Sequence, residues 1–191
     1  MSKGISNKSA VAVIGAGTMG NGIAHVFALK GFSVQLVDVS APALEKALAT
    51  IAKNNERMVG KGTITAEEMT ACMQNIQTNT SLADACKTAD LVVEAATENI
   101  DLKLRIFADI DANAPEGCIL ASNTSSISIT RIAAATKRPA AVIGMHFMNP
   151  VPVMKLVEVI RGYATTDEIA NTIVELSKKL GKIPTVVNDY P

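Results

Sequence analysis

Two histidines and a few carboxylates are the residues of this chain best suited to chemistry. His146 ends an apolar run, 141–146, just before Phe147-Met148-Asn149-Pro150. An imidazole titrates near neutral pH, which suits proton transfer. If the run is a strand of an open α/β sheet, its carboxyl end lines the ligand crevice. A histidine there is placed for acid–base work, although a satisfied structural histidine fits the position equally well. Glu158 lies in Leu156-Val157-Glu158-Val159-Ile160, where strand alternation puts it on one face with Leu156 and Ile160. A carboxylate in an apolar row is costly unless paired. His146 is its natural partner if this strand folds back beside it. The carboxylate would then hold the imidazole tautomer and stabilise its charged form. The alternative is an edge strand with Glu158 in solvent. His25 falls on a helix and reads as a surface or packing residue.

A second group of residues suits a dinucleotide. The run 11–14 leads into Gly15-Ala16-Gly17-Thr18-Met19-Gly20, and a helix follows. The first glycine allows a tight turn, the second a close approach to pyrophosphate, and the third close packing of helix on strand. The helix N-terminus then faces the anion. Asp38 ends the next strand, 18 positions after Gly20 (38 − 20), as a ribose ligand should. A carboxylate there repels a 2′-phosphate, so NAD is expected over NADP. The other reading of Asp38 is a cap for the following helix. Ser122-Asn123-Thr124-Ser125-Ser126 carries hydroxyls and an amide to the same rim, either as ligand contacts or as a plain turn and cap. Arg57 and Lys61 share one helix face, which suits phosphates or merely solvent.

These residues need elements to hold them. Strands are expected at Ala10–Ile14, Ser33–Val37, 76–78, Leu91–Glu94, Ile119–Ser122, 141–146, 156–160 and 183–187. Helices are expected from the glycine turn to Leu29, over 41–59, from Thr65, after Ser81, and over 102–113, 130–135 and 167–180. Thr65 with Glu68 forms a capping box, and Ser81 with Asp84 resembles a second cap. Strands alternating with helices give an α/β fold: a Rossmann-type, mostly parallel sheet covered by helices on both faces. The helices after Asp38 form an inserted hairpin. The run 151–160 follows Pro150 and Pro152 with no intervening helix, so its strand is antiparallel to its neighbour.

Composition excludes other classes. Lys+Arg and Asp+Glu are both 18, so no basic field recruits nucleic acid, and aromatics are only 3%. Cys72, Cys86 and Cys118 lack metal-ligand spacing, so no metal is expected. No apolar run reaches the ~20 residues that span a bilayer, and the start is not a secretory signal. A reduced cytoplasm is expected.

The stretches VIGAGTMGNGIAHVF (13–27), LVVEAATEN (91–99), LASNTSS (120–126) and GMHFMNPVPVMKLVEVI (144–160) together resemble the 3-hydroxyacyl-CoA dehydrogenases, most of all the bacterial 3-hydroxybutyryl-CoA group. The resemblance implies NAD-dependent oxidation of an L-3-hydroxyacyl-CoA to the 3-ketoacyl-CoA, or the reverse, in fatty-acid or butanoate metabolism. It gives His146 the 3-hydroxyl proton, Glu158 the orientation of His146, and Ser125 a contact to both substrate oxygen and nicotinamide. It adds Glu98, Lys103 and Asn123 to the glycine loop and Asp38 as NAD contacts. Arg57, Lys61 and Asn149 become contacts to the acyl-CoA. Met148 stands where the family usually has a second Phe. In the family a sequence like Asp189-Tyr190-Pro191 leads on to a helical C-terminal domain that closes the cleft and makes the homodimer. Residues 1–191 are therefore expected to be the NAD-binding domain alone, weakly active or inactive, and prone to self-association through the uncovered surface. The competing expectations are an NAD(H)-binding module with little turnover, and a dehydrogenase of free hydroxy acids.

Overall fold

The computed structural model describes residues 4–189, so Tyr190 and Pro191, read above as a boundary, lie outside the described residues. Six strands run parallel: β1 (Ala10–Ile14), β2 (Ser33–Val37), β3 (Ile76–Asn79), β4 (Leu91–Glu94), β5 (Ile119–Ser122) and β6 (Val142–Phe147). β7 (Leu156–Arg161) folds back antiparallel to β6, and β8 (Ile183–Asn188) pairs parallel with β7. The sheet order is β3-β2-β1-β4-β5-β6-β7-β8. The chain builds outward from β1 in one direction, then restarts at β4 on its other side. The resulting crevice between β1 and β4 is where open α/β sheets bind ligands.

Helices α1 (Thr18–Leu29), α2 (Ala41–Gly60), α3 (Ala66–Gln74) and α7 (Asp167–Lys179) cover one sheet face, and α4 (Leu82–Cys86), α5 (Ile100–Asn113) and α6 (Ile129–Ala133) cover the other. β4 and β5 are buried along their whole length because both faces are covered, which is why they read as unbroken apolar runs. The α2–α3 pair is the expected hairpin inserted between β2 and β3. Ser40, Thr65, Ser81, Asn99, Ser128 and Thr166 each cap a helix with a side-chain oxygen. The Thr65–Glu68 box is closed by both of its bonds, at 3.1 and 2.8 Å. Asn99 starts α5 at Ile100, two residues before the predicted start.

His25 is fully buried, so of its two readings the packing one holds. Glu158 shares a row with Leu156 and Ile160, as the alternation predicts, and that row is the less buried one. Val157 and Val159 are 0% exposed and face the α7 side; Leu156, Glu158 and Ile160 form the outer row. The alternation was right, but which face is covered depends on α7, which lies further along the chain.

Candidate active site

The glycine turn sits in the β1–β4 crevice. Gly15 has φ +102°, and a Cβ there would lie 2.7 Å from Ala95 O. A Cβ on Gly20 would lie 1.7 Å from Gly15 O, so only glycine lets α1 pack this closely on the turn. A Cβ on Gly17 meets nothing within 4 Å, which leaves that backbone open to a ligand. Among the described α-helices, α1 alone begins without a side-chain cap, on Gly17, so its first N–H groups remain available to an anion.

Asp38 does not cap α2; Ser40 does. Its Oδ2 accepts from Ala16 N–H at 2.9 Å and its Oδ1 from Ser40 N–H at 2.9 Å. It therefore pins the glycine turn while standing on the wall of a cleft of about 480 Å³. Lys46, Thr50 and Asn54 form the facing wall, one helical turn apart along α2, and Asn21 donates to Gly17 O at 2.9 Å. These four were not singled out in the sequence, although the spacing along α2 was there to be read. Arg57 and Lys61 stand exposed at the far end of α2, outside the lining of this cleft.

A second cleft of about 350 Å³ opens beside the first, with Asn149 lining both. It brings together Met19, Glu98, Lys103, Asn123, Ser125 and His146. His146 and Glu158 are direct ladder partners on β6 and β7, and Nδ1 lies 2.7 Å from Glu158 Oε2. With Nδ1 on the carboxylate, Nε2 is the nitrogen left for a ligand. The carboxylate side chain remains 37% exposed. The Asn149–Pro150 peptide that follows is cis.

The rest of this wall is held by polar contacts. Asn123 Oδ1 accepts from Phe147 N–H at 2.8 Å, tying the end of β5 to the end of β6. The Glu98 carboxylate accepts from Thr124 Oγ1 at 2.7 Å, Ser126 Oγ at 3.3 Å and Ser125 N–H at 3.4 Å, and so fixes the turn that presents Ser125. Lys103 is 1% exposed and forms an ion pair with Glu94, which is 0% exposed, with Nζ 2.7 Å from both carboxylate oxygens. Glu94 also accepts from Ala96 N–H and Ser122 Oγ, each at 2.8 Å. Removing one partner of such a pair strands a buried charge, at a cost of roughly 3–5 kcal/mol. Glu94 was read only as the end of an apolar strand; its role depends on contacts with β5 and α5.

Comparisons with known proteins agree with this geometry. Residues 10–190 match the family described as "3-hydroxyacyl-CoA dehydrogenase, NAD binding domain". The 3-hydroxybutyryl-CoA dehydrogenase of Bradyrhizobium diazoefficiens is 51% identical over 181 residues, covering 95% of this chain and 61% of that protein. The probable 3-hydroxybutyryl-CoA dehydrogenase of Bacillus subtilis is 48% identical over 181 residues, with 95% and 63% covered. Among solved structures, (S)-3-hydroxybutyryl-CoA dehydrogenase PaaH1 from Ralstonia eutropha superposes with a TM-score of 0.93 at 48% identity, over 96% of this chain and 65% of that one. The Escherichia coli K12 3-hydroxybutyryl-CoA dehydrogenase gives 0.94 at 44%, over 97% and 39%. The chain thus spans less than two thirds of these relatives. With the glycine turn, the uncapped α1 and the His146–Glu158 pair in one crevice, it belongs to the 3-hydroxyacyl-CoA dehydrogenase family and carries that family's NAD-binding domain.

Proposed function

We propose that this chain holds NAD(H) and supplies the acid–base pair that interconverts an L-3-hydroxyacyl-CoA, 3-hydroxybutyryl-CoA in particular, with its 3-keto form. The observation that carries the reading is the His146–Glu158 bond of 2.7 Å, on a cleft that shares Asn149 with the glycine-loop cleft. The residues fit the dinucleotide: Gly17 is open, α1 keeps its first N–H groups free, and Asp38 stands where ribose hydroxyls would lie. Asp38 favours NAD over NADP.

The bound nicotinamide supplies the hydride acceptor for C3 of the substrate. His146 Nε2 takes the 3-hydroxyl proton as the carbonyl forms, and returns it in the reduction. Glu158 holds Nδ1–H and offsets the charge on the imidazolium. Ser125 hydrogen-bonds the reacting oxygen, and Glu98 keeps its turn in place. Lys103 keeps a buried positive charge on the wall, and the Asn123 amide joins it as a donor to NAD. Arg57, Lys61 and Asn149 contact the acyl-CoA, the first two through its phosphates.

A second reading has one observation in its favour. The Glu158 side chain is 37% exposed, so water reaches the pair. Proton and hydride transfer need substrate held close and water excluded. On that reading the chain alone is an NAD(H)-binding module, completed in the family by a helical domain that also makes the homodimer. Both readings place it in the cytoplasm, which suits three unpaired, buried thiols. No described helix is long and apolar enough to cross a membrane.

Titrating NADH and assaying acetoacetyl-CoA reduction on the same preparation separates the two. Turnover that depends on acetoacetyl-CoA and disappears in His146→Gln supports the enzyme reading. NADH binding without turnover supports the module. A chain that binds no NADH contradicts both.

A further inference from the structure

Beneath the nucleotide cleft, α1 and α2 share a polar contact that the mechanism above does not use. His25 lies on α1 one turn beyond Asn21, and Asn55 lies on α2 next to Asn54. Both are 0% exposed, and His25 Nε2 is 2.7 Å from Asn55 Oδ1. His25 Nδ1 and Asn55 Nδ2 are buried with no hydrogen-bond partner.

This arrangement fixes the imidazole's state. An amide oxygen only accepts, so Nε2 must carry the hydrogen and Nδ1 is bare. A proton on Nδ1 would create a buried cation. The group bonded to the ring is the neutral Asn55 amide, and the Cys72 thiol of α3, which burial pushes up, adds no charge. Among the described residues no carboxylate pairs with it to offset the charge, and burial holds His25 below its ordinary value of 6.5.

α1 carries the glycine turn at its N-terminus, and α2 carries Lys46, Thr50 and Asn54 on the facing wall. The contact between His25 and Asn55 therefore joins the two walls at their base. We propose that the His25–Asn55 bond is the positioning element that sets the spacing of these walls, and that nucleotide affinity requires the neutral imidazole. This rests on the NAD(H) reading of the cleft. Thermodynamic reciprocity then makes His25 protonation and nucleotide binding oppose each other by the same factor. The sign follows: the neutral form is the competent one, so affinity is intact above pH 6.5 and falls as pH drops through the His25 pKa.

The chain has only two histidines, so imidazole NMR of the unmodified protein resolves the question, with His146→Gln used solely to assign the signals. Three results are expected. His25 shows the Nε2–H tautomer and titrates below 6.5. Its pKa falls by about 0.7 or more when NADH saturates the protein, matching an affinity loss of about fivefold or more on protonation. His25→Gln, which keeps an amide donor toward Asn55, binds NADH at pH 7.5 but loses that part of the pH dependence. A His25 pKa that is the same with and without NADH overturns the proposal, even if His25→Gln does not fold. So does an unchanged pH dependence in His25→Gln. If the unmodified chain binds no NADH at pH 7.5, the nucleotide reading itself has failed.

Discussion

The turn after β1, closed by Gly20, and the strand β7, which carries Glu158, lie four positions apart in one sheet, and their surroundings differ sharply. Around β1 the cleft is built entirely from elements of this chain. The glycine turn is pinned by Asp38, closed by Gly20 against Gly15, and walled by α1 and α2. Around β7 one face is covered along its length by α7, and the other only near Ile160, which packs against the α6 side. α7 buries Val157 and Val159, while the outer row leaves Leu156 36%, Ile183 60% and Val187 37% exposed. Glu158 sits in that outer row, and its ladder partner on β8, Thr185, is exposed as well. On the proposed function, holding the cofactor and turning over substrate are thus separable. The first rests on residues walled within this chain; the second borders an exposed surface.

Substitutions can break or sharpen this contrast. The largest effect is expected for His146→Gln, which should lower acetoacetyl-CoA reduction by ~10³ and leave NADH affinity nearly unchanged. Parallel loss of both would merge the two regions. Next is Gly20→Ala. The added Cβ must displace Gly15, so NADH affinity should fall by ~10² or more, and circular dichroism should report whether the sheet survives. A normal Kd would mean that the turn is not the pyrophosphate site.

The sequence made the two regions legible to different degrees. Element order, the Thr65–Glu68 box, the antiparallel β7 and the His146–Glu158 pair could be read because each rests on local spacing or on a short connection. What could not be read depends on distant partners. Glu94 looks like the end of an apolar strand until Lys103 and Ser122 meet it from α5 and β5. Asp38 was read for the ribose, but its bond to Ala16 N–H crosses from β2 to the turn after β1. The outer placement of Glu158 depends on α7 covering the opposite face. His25 looked ambiguous because a lone histidine on a helix does not name its partner, and Asn55 lies a whole helix away.

A smaller effect is expected for Asp38→Ala. It removes the carboxylate that would repel a 2′-phosphate and also frees Ala16 N–H. NADH should weaken by roughly tenfold, and the preference over NADPH should narrow. Equal binding of both cofactors by the unmodified chain would remove Asp38 from the ribose site. The smallest effect concerns the open face. Exposed apolar rows promote association, so Ile183→Lys with Val187→Lys should shift any dimer seen by sedimentation toward monomer, with NADH affinity unchanged. Sedimentation that does not respond would place self-association elsewhere.

The most direct test compares this chain with the same chain extended through the helical C-terminal domain of a 3-hydroxybutyryl-CoA dehydrogenase, measuring NADH affinity and acetoacetyl-CoA reduction on both. The predicted result is an NADH Kd that agrees within about threefold, while kcat/KM rises by ~10²–10³ as the added domain closes the cleft and excludes water. Comparable kcat/KM in the two, or an NADH Kd that improves in step with turnover, would contradict the separation of the two regions.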